Sequence, residues 1–278
     1  MPELPEVEFA RRCWQQWADG RTVLAVTAQA SRVLRPRSPR ALQALKGARF
    51  FQFDRRGKNL LLSARREEAL LGLWSHLGMT GKWVRRARAT EPPRFARARL
   101  DLDDGHSLFY CDMRLFGRLQ LVPEARFDQL PELRALGPDP LVDGIDVERL
   151  FAKLQATRLP VKVALLDQRV LAGVGNIQAS EGLHRAGLDP RRPARRLDRA
   201  EVRRLAAGIR RSLAATLKQF QREASDGADI AYVEEPGTAN PFAVYDRAGE
   251  RCRRCRKGTV ARIVQAGRST FFCPHCQR

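Results

Sequence analysis

Four cysteines near the C-terminus constrain the fold of this chain more than any other feature. Cys252 and Cys255 are separated by two residues, and so are Cys273 and Cys276. Each pair has the spacing of a metal-binding turn, and four thiolates complete a tetrahedral zinc site. Disulfides are rare in a reducing compartment, so the pattern favours metal ligation. The sequence therefore predicts one structural zinc ion held by these four residues.

The residues between the two cysteine pairs predict a β-hairpin. Residues 259–264 and 269–272 are rich in β-branched and aromatic side chains, and they flank Ala266-Gly267, which fits a two-residue turn. Arg268 then lies at the tip, either as a solvated turn residue or as a ligand contact. His275 lies inside the second cysteine pair and is an alternative metal ligand, although the four cysteines suffice.

The net charge of the chain indicates a polyanionic partner. The 278 residues include 51 Lys and Arg against 31 Asp and Glu, a formal net charge of +20. Arginine suits bidentate contacts to phosphate, and the excess is spread along the chain. A genome that favours Arg would explain the choice of Arg over Lys but not this surplus. No apolar run approaches the ~20 residues that span a bilayer, and no signal peptide is evident, so we expect a cytoplasmic protein.

The pattern of apolar residues changes along the chain and predicts an α+β protein of several domains. After a helix that ends near Trp17, residues 22–121 form short apolar runs, which favour a β-sandwich with the helix packed against it. Residues 123–140 mark a linker, and residues 224–243 lose all periodicity, which is typical of a loop. The predicted strands are 23–26, 50–53, 60–62, 70–74, 100–102, 107–110 and 119–121. The predicted helices are 146–156, 160–168, 176–187 and 198–222.

The first residues of the chain can form a nucleophile. If Met1 is removed, Pro2 becomes a secondary amine with an ordinary pKa of ~7.7–8.0, so a useful fraction is unprotonated at neutral pH. Such an amine can attack C1′ of a deoxyribose and form an iminium ion. Glu3, Glu6 and Glu8 supply carboxylates beside it. The alternative is that Pro2 is an extended lead-in and that these acids charge the first turn of a helix.

Three glycine-containing segments are candidates for contacts to nucleic acid. Gly173-Val174-Gly175-Asn176 lies between two predicted helices, where backbone amides and the asparagine side chain can donate to a phosphate. Residues 76–81 and 112–117 are turns that each present large side chains. Met79 and Phe116 in these turns are either core residues or wedges that fill the gap left by an extruded base.

Taken together, the chain resembles the formamidopyrimidine-DNA glycosylase family of the helix-two-turn-helix superfamily. The resemblance covers nearly the whole length, with the motifs in the family's order. They are MPELPEVE at 1–8, RRGKNLLL at 55–62, HLGMTG at 76–81, DMRLFG at 112–117, LGPDPL at 136–141, GVGNIQASE at 173–181 and the terminal four-cysteine finger. The resemblance implies a catalytic β-sandwich domain over 1–122, a helix-two-turn-helix domain over 123–224, a lesion-covering loop over 225–243 and a zinc β-ribbon over 244–278.

The resemblance also implies a bifunctional DNA glycosylase and AP lyase that removes oxidised purines, namely formamidopyrimidines and 8-oxoguanine. Pro2 would attack C1′ and form a Schiff base, and Glu3 would protonate the ring oxygen as the sugar opens. Glu6 matches a supporting carboxylate near Pro2. Lys58 matches a residue that pairs with a phosphate near the lesion and assists proton transfer. Arg268 matches a phosphate-gripping residue implicated in the second of two eliminations.

The DNA contacts that the family implies are of two kinds, wedges in the base stack and contacts to the DNA backbone. The wedges are Met79, Arg114 and Phe116, with Arg114 facing the orphaned cytosine. The backbone contacts are His76, Lys162, Asn176 and Arg97, the last aligned with a histidine of relatives. The expected partner is double-stranded DNA with a damaged base or an abasic site, bound by a monomer.

Three departures from the family pattern bear on specificity. The family usually reads DPRRFG at 112–117, an aromatic residue at Gln178, and SDGKPGYF where this chain reads SDGADIAY at 225–232. Two alternatives therefore stay open. One is the same scaffold with a shifted lesion range, such as oxidised pyrimidines, bulky lesions or crosslinks. The other is a damaged-DNA-binding protein without catalytic activity.

Overall fold

The computed structural model describes residues 2–223 and 239–278. Within these residues the chain divides into two compact units. The first unit comprises the chain up to Arg134 together with the end of the last long helix from Phe220. The second unit comprises Ala135–Gln219 and continues from residue 239 to Arg278. The predicted helical segment and the predicted zinc segment thus both contribute to the second unit.

The first unit opens with helix α1 (Leu4–Ala18). Pro5 lies in its first turn, where the missing N–H removes no intrahelical hydrogen bond. Trp14 on the apolar face is fully buried. Its ring lies edge-on to Phe50 and Trp83, with centroid distances of 5.2 and 4.7 Å. The helix therefore packs against the strands, as the sequence predicted.

The described part of the first unit contains nine strands in two sheets. The strands are β1 (Val23–Ala28), β2 (Leu34–Arg35), β3 (Arg49–Arg56), β4 (Asn59–Arg66), β5 (Ala69–His76), β6 (Lys82–Ala87), β7 (Ala96–Leu102), β8 (His106–Cys111) and β9 (Arg118–Pro123). One sheet has the order β1-β7-β8-β6 and the other the order β2-β9-β5-β4-β3. Strand β2 pairs parallel with β9, and the other neighbours pair antiparallel. A 3-10 helix (Pro39–Leu45) connects β2 and β3.

Hydrogen bonds between the two sheets identify a β-sandwich. Trp83 Nε1 on β6 donates to Ser75 Oγ on β5 at 3.0 Å. The Tyr110 hydroxyl on β8 donates to the His76 carbonyl on β5 at 3.0 Å. Both links satisfy polar groups that an apolar interior would otherwise leave without a partner. The predicted fold class is therefore confirmed for this unit.

Helices dominate the second unit. After a 3-10 helix (Phe127–Gln129) and the short helix α2 (Pro131–Arg134) at the end of the first unit, the chain forms α3 (Val147–Gln155), α4 (Val161–Leu165), α5 (Asn176–Ala186), a 3-10 helix (Ala194–Arg196) and α6 (Arg199–Glu223). The Asp146 carboxylate caps α3 by accepting from two backbone amides. Gly187, with φ of 72°, ends α5 in the left-handed region. Across the described ranges, no helix is both long and apolar enough to cross a membrane.

A β-ribbon completes the second unit. Strands β10 (Ala261–Gln265) and β11 (Arg268–Phe272) pair antiparallel. Ala266 and Gly267 between them have φ of 48° and 71°. Positive φ at both central residues is the geometry of a type I′ turn, which matches the twist of a hairpin. The predicted hairpin is confirmed, and Arg268 is exposed directly after the turn.

The structure also departs from the sequence prediction. It contains β2 and β6, which were not predicted, because β2 has only two residues and three of the six residues of β6 are charged. The helix predicted over 160–168 ends early, since Gln168 Nε2 donates to the Leu166 and Val174 carbonyls and closes a turn instead. The fate of Met1 and the predicted loop at 225–243, apart from residues 239–243, lie outside the described residues.

A buried ion-pair network fixes α1 to β3. The Glu8 carboxylate accepts from Arg55 Nε on β3 at 3.1 Å, and it also accepts from Arg11 and Arg12 on α1. The Arg55 side chain is 1% exposed and donates through Nη1 to the Gly57 carbonyl at 3.0 Å. Burial alone would raise the pKa of Glu8, but the hydrogen bonds from the guanidinium groups outweigh it and lower that pKa.

Replacing Glu8 by Gln removes the carboxylate charge that faces the buried guanidinium of Arg55. We expect Glu8→Gln to lower the free energy of unfolding, measured in urea at pH 7, by about 3 kcal/mol. Because folding lowers the pKa of Glu8, its contribution is present above the ordinary value of 4.5 and is lost as the pH falls through the folded pKa. The stability difference between chain and variant should therefore narrow in acid.

The matched control is Glu68→Gln, because Glu68 is an exposed carboxylate in the same unit. We expect it to change the free energy of unfolding by less than about 0.5 kcal/mol. Equal and small losses in the two variants would contradict the assignment of the Glu8 network as the link between α1 and β3.

Candidate functional site

The N-terminal end of α1 gathers two buried carboxylates next to Pro2. Pro2 is buried, and Glu3 and Glu6 are 1% and 4% exposed. The backbone N–H of Glu3 donates to Glu6 Oε2 at 2.9 Å. This bond satisfies one of the amides that a helix start leaves without an intrahelical acceptor, and the positive end of the helix dipole favours carboxylates there. Three residues predicted to be catalytic are thus neighbours in the first unit.

Glu6 holds its proton far more tightly than an ordinary glutamate. Burial and the nearby charge of Glu3 raise its pKa from 4.5 to about 7, against the opposing effect of the Glu3 backbone hydrogen bond. A carboxyl group with this pKa exchanges a proton at neutral pH. The family resemblance implies a supporting carboxylate at this position. Its protonation state could not be predicted from the sequence, because it depends on the structure that encloses Glu6.

Lys58 lies in the tight turn between β3 and β4. Arg56 pairs with Asn59 across the turn, and Gly57 has φ of 57°, a left-handed conformation that glycine adopts at little cost. The Gly57 carbonyl is held by Arg55, which in turn binds Glu8. The network that attaches α1 to β3 therefore also fixes the turn that carries Lys58.

His76, at the end of β5, lies within the electrostatic influence of Lys58. Its Nδ1 accepts from the Gly78 backbone N–H at 2.9 Å, so the ring proton resides on Nε2. Burial, together with the charges of Lys58 and Arg118, lowers the pKa of His76 to about 4. His76 is therefore neutral at physiological pH, and it can act as a donor through Nε2 but not as a cation.

One buried carboxylate joins the two turns at 76–81 and 112–117. Asp112 is fully buried. Its Oδ1 accepts from Thr80 Oγ1 at 2.7 Å and from the Arg114 backbone N–H at 3.1 Å. Its Oδ2 accepts from the Gly117 N–H at 2.8 Å. A Cβ atom on Gly78 would lie 2.5 Å from the Phe116 carbonyl carbon, so only glycine permits this approach of the two turns.

The turn at 112–117 presents large side chains to solvent. Phe116 is 49% exposed, so its alternative assignment as a core residue is wrong, whereas Met79 is half-buried. The Arg114 guanidinium lies 5.1 Å from the centre of the Phe116 ring. Leu115 between them has φ of 58°, a strained conformation for a branched residue. Met113 is 54% exposed and was not singled out from the sequence.

Arg97, on β7, contacts the backbone of the same turn. Its Nε donates to the Asp112 carbonyl at 3.0 Å. Arg32 reaches the turn from another direction, because its Nη2 donates to the Arg114 carbonyl at 3.2 Å and its guanidinium lies 5.3 Å from the Phe116 ring centre. The structure thus brings Arg97, Arg114 and Phe116 together, and Asp112 and Arg32 are supporting residues that sequence reasoning missed.

In the second unit, Lys162 lies beneath the start of α5. Lys162 is fully buried, and Asn176, the first residue of α5, is 8% exposed. Lys162 Nζ donates to Asn176 Oδ1. Asn176 Nδ2 donates in turn to the Ser269 carbonyl at 2.9 Å. The start of α5 is therefore joined to β11 of the hairpin, one residue from the exposed Arg268.

The four cysteines form a site with the dimensions of tetrahedral zinc. Their sulfur atoms all lie within 4.8 Å of one another, and the Cys252–Cys276 and Cys255–Cys273 pairs are each 3.8 Å apart. A Zn–S bond of about 2.3 Å places the sulfurs of a tetrahedron about 3.8 Å apart, so the residues fit this ion. His275 is exposed and lies outside the cluster, so the alternative ligand is not needed.

Three family sequence models match consecutive parts of the chain. The formamidopyrimidine-DNA glycosylase N-terminal domain matches residues 1–119, and the helix-two-turn-helix domain of the same glycosylase matches residues 136–226. A zinc finger found in this glycosylase and in isoleucyl-tRNA synthetase matches residues 249–278. Together they span both units and the four-cysteine site.

Whole proteins with this name are similar over their entire length. The formamidopyrimidine-DNA glycosylase of Laribacter hongkongensis is 40% identical over 281 residues, and that of Paracoccus denitrificans is 38% identical over 292 residues; each comparison covers 100% of both chains.

Solved structures show the same similarity. The Lactococcus lactis enzyme in complex with DNA that contains an abasic site has a TM-score of 0.86 at 27% identity, with 99% of both chains covered. The MutM (Fpg) protein of Thermus thermophilus has a TM-score of 0.80 at 38% identity, with 99% of this chain and 98% of that chain covered.

Glu6 should make stability depend on pH around neutrality. Because folding raises its pKa from 4.5 to about 7, the folded state gains stability from the bound proton at low pH and loses it as the pH rises through this window. Glu6→Gln has no such proton, and its amide oxygen still accepts from the Glu3 N–H. When the pH rises from 5 to 8, the free energy of unfolding of Glu6→Gln, measured in urea, should increase relative to that of the unaltered chain by on the order of 3 kcal/mol. If the difference in free energy of unfolding between the variant and the unaltered chain does not change with pH, the raised pKa of Glu6 is contradicted.

Asp112 should hold the two turns together. In Asp112→Asn, an amide NH2 replaces one acceptor oxygen and faces a donor, so we expect a loss of about 2 kcal/mol in the free energy of unfolding. Hydrogen exchange measured by mass spectrometry should accelerate in both 76–81 and 112–117. The control is Asp128→Asn, because Asp128 is exposed. Faster exchange in only one of the two turns would refute a shared clamp.

Proposed function

Because this chain belongs to the formamidopyrimidine-DNA glycosylase family, we propose that it excises oxidised purines from double-stranded DNA through a Schiff base on Pro2. It is a base-excision DNA glycosylase with AP lyase activity, and removal of Met1 supplies its nucleophile. The observation that carries the catalytic assignment is the pair of buried carboxyl groups, Glu3 and Glu6, beside Pro2 at the start of α1. The two side chains also form the capping box of α1, but a capping box does not require both acids to be withdrawn from water.

The chemistry begins with the secondary amine of Pro2. Its lone pair attacks C1′ of the damaged nucleotide, and the bond from C1′ to the base breaks. The amine gives its proton to the carboxyl pair of Glu6 and Glu3, the bond from C1′ to the ring oxygen opens, and Glu3 delivers a proton from this pair to that oxygen. The product is an iminium ion that withdraws electrons from C2′. Loss of a C2′ proton then allows elimination of the 3′ phosphate, and a second elimination releases the 5′ phosphate.

Glu6 is suited to accept the proton that the amine gives up. Its pKa of about 7 lets it exchange a proton at neutral pH, the range in which an N-terminal amine, with an ordinary pKa of ~7.7–8.0, also exchanges one. The hydrogen bond from the Glu3 backbone N–H holds the Glu6 carboxylate beside Glu3, which directly follows Pro2 in the chain. We therefore assign Glu6 as the proton acceptor for Pro2 and Glu3 as the donor to the sugar.

The basic and donor residues of the two units are suited to grip the DNA backbone. Lys58 lies in a turn fixed by Arg55, and neutral His76 offers an Nε2–H. The buried ammonium of Lys162 beneath Asn176 favours an anion at the start of α5, where helix amides also donate. Arg268 is exposed on the hairpin and is assigned to the phosphate involved in the second elimination.

The exposed turn at 112–117 is suited to replace an extruded base. Flipping a base out of the stack costs a few kcal/mol, and side chains that fill the gap reduce this cost. Phe116 offers an exposed aromatic wedge and Arg114 a cation that can face the orphaned cytosine. Met79 lies on the neighbouring turn at 76–81, which Asp112 holds in place through Thr80, and Arg97 supports the turn at 112–117. We propose that the protein acts as a monomer in the cytoplasm, where bacterial DNA lies.

Borohydride trapping tests this function. The reagent reduces a Schiff base to a stable amine, so the chain should form covalent adducts with duplexes that contain an abasic site, 8-oxoguanine or formamidopyrimidine. Pro2→Gly should lose most base excision, and Glu3→Gln should slow it by about 100-fold or more, the usual contribution of a general acid. The matched control is Pro5→Ala, which alters the other proline of the octet and keeps the Pro2 amine.

The other outcomes separate the alternatives. Adducts with the abasic duplex alone would reduce the function to an AP lyase. Adducts with 5-hydroxyuracil but not with oxidised purines would indicate a shifted lesion range. Binding to all these duplexes without any adduct would identify a damaged-DNA-binding protein and overturn the proposal.

A further inference from the structure

His184 is a buried histidine that the sequence analysis did not identify as a site residue. It lies near the end of α5 and is 2% exposed. Its Nε2 lies 3.4 Å from Cys252 Sγ, although the two residues are 68 positions apart in the chain. Cys252 is itself fully buried and belongs to the four-cysteine cluster. The contact therefore connects the helical part of the second unit directly to a predicted zinc ligand.

The chemistry of a zinc-bound sulfur decides the direction of this contact. A thiolate that binds zinc carries only lone pairs, so the contact is favourable only when Nε2 carries the hydrogen. Four thiolates around one divalent ion leave a net charge of −2, and hydrogen bonds to sulfur disperse it. Such outer partners orient the ligands and tune the metal site. Another sulfur of the cluster already has such a donor, since the Gly258 backbone N–H lies 3.4 Å from Cys255 Sγ.

Further contacts show that the end of α5 and the zinc segment form one packed junction. Arg254, between the first two cysteines, donates through Nη1 to the His184 carbonyl at 2.8 Å. Gln277 beyond the last cysteine donates to the Leu188 carbonyl at 2.8 Å, and its own oxygen accepts from the Cys273 N–H. The backbone on either side of the His184–Cys252 contact is thus bound to the zinc segment, and the buried His184 side chain lies within this junction.

We propose that His184 is an outer-sphere residue of the zinc site, which donates Nε2–H to the Cys252 thiolate and so fixes the zinc segment to α5. The other end of α5 is also bound to the zinc segment. Asn176 binds the hairpin at Ser269, and His184 lies eight positions further along α5, about 12 Å at 1.5 Å per residue. The ribbon is therefore attached to α5 at two points, which sets where Arg268 lies relative to Asn176. This inference does not require the proposed DNA chemistry.

Metal spectroscopy on the full-length chain tests this role without reference to activity. In the cobalt-substituted protein, a hydrogen bond stabilises the sulfur lone pairs, so its loss in His184→Phe should move the sulfur-to-cobalt charge-transfer band to longer wavelength. Zinc release to a chelator should be about 10-fold faster or more, as for other outer-sphere replacements. His184→Gln retains an N–H donor and should restore part of both properties. The control is His275→Phe, which removes an exposed imidazole between two ligands and should leave both unchanged.

Equal charge-transfer bands and release rates in the chain and in His184→Phe would overturn the proposal. If His184→Phe does not fold, the unaltered chain decides the question. With ¹¹³Cd in the site and ¹⁵N-labelled histidine, the proposal requires a proton on Nε2 of His184 and scalar coupling from that proton to the metal through sulfur. An Nε2 without a proton would refute it.

Discussion

The burial of carboxyl groups in the first two turns of α1 is the constraint on which the first unit depends. A carboxylate withdrawn from water needs either a counter-ion or a proton. Glu8 has counter-ions, since Arg55 and two arginines of α1 surround it and lower its pKa. Glu6 instead retains a proton more readily, since burial next to Glu3 raises its pKa to about 7. Two acids two residues apart thus have opposite protonation behaviour, one structural and one suited to proton transfer.

The same design, one buried polar group that joins two segments, recurs in both units. Asp112 fixes the turn of Thr80 to the turn of Arg114, and Asn176 connects Lys162 to the hairpin. The residues that we propose to contact DNA are already held in place in the structure, and this avoids the affinity that ordering them on binding would cost. The exposed side chains at these sites are therefore carried by turns whose backbones are held from within.

Much of the fold could be predicted from the sequence, because it depends on local spacing, whereas most of the proposed site residues follow from the resemblance to the family. The cysteine pairs predict the zinc cluster, Ala266-Gly267 predicts the hairpin, and Pro2 with its acids predicts a nucleophile. Strand β6 could not be predicted because charged residues interrupt its apolar pattern. The contacts that position the site could not be predicted either, since Glu8 and Arg55 are 47 residues apart and His184 and Cys252 are 68 apart. Pairings at such distances, and the protonation state of Glu6, are set by the folded structure.

The central claim is that the amine of Pro2 forms the covalent bond to the sugar. Tandem mass spectrometry of the borohydride-reduced complex between the full-length chain and an abasic duplex measures this most directly. We predict that the peptide bearing the sugar begins at Pro2, with Met1 absent and the added mass on the N-terminal nitrogen. A sugar attached to Lys58 or another lysine, or a reactive fraction that retains Met1, would contradict the claim.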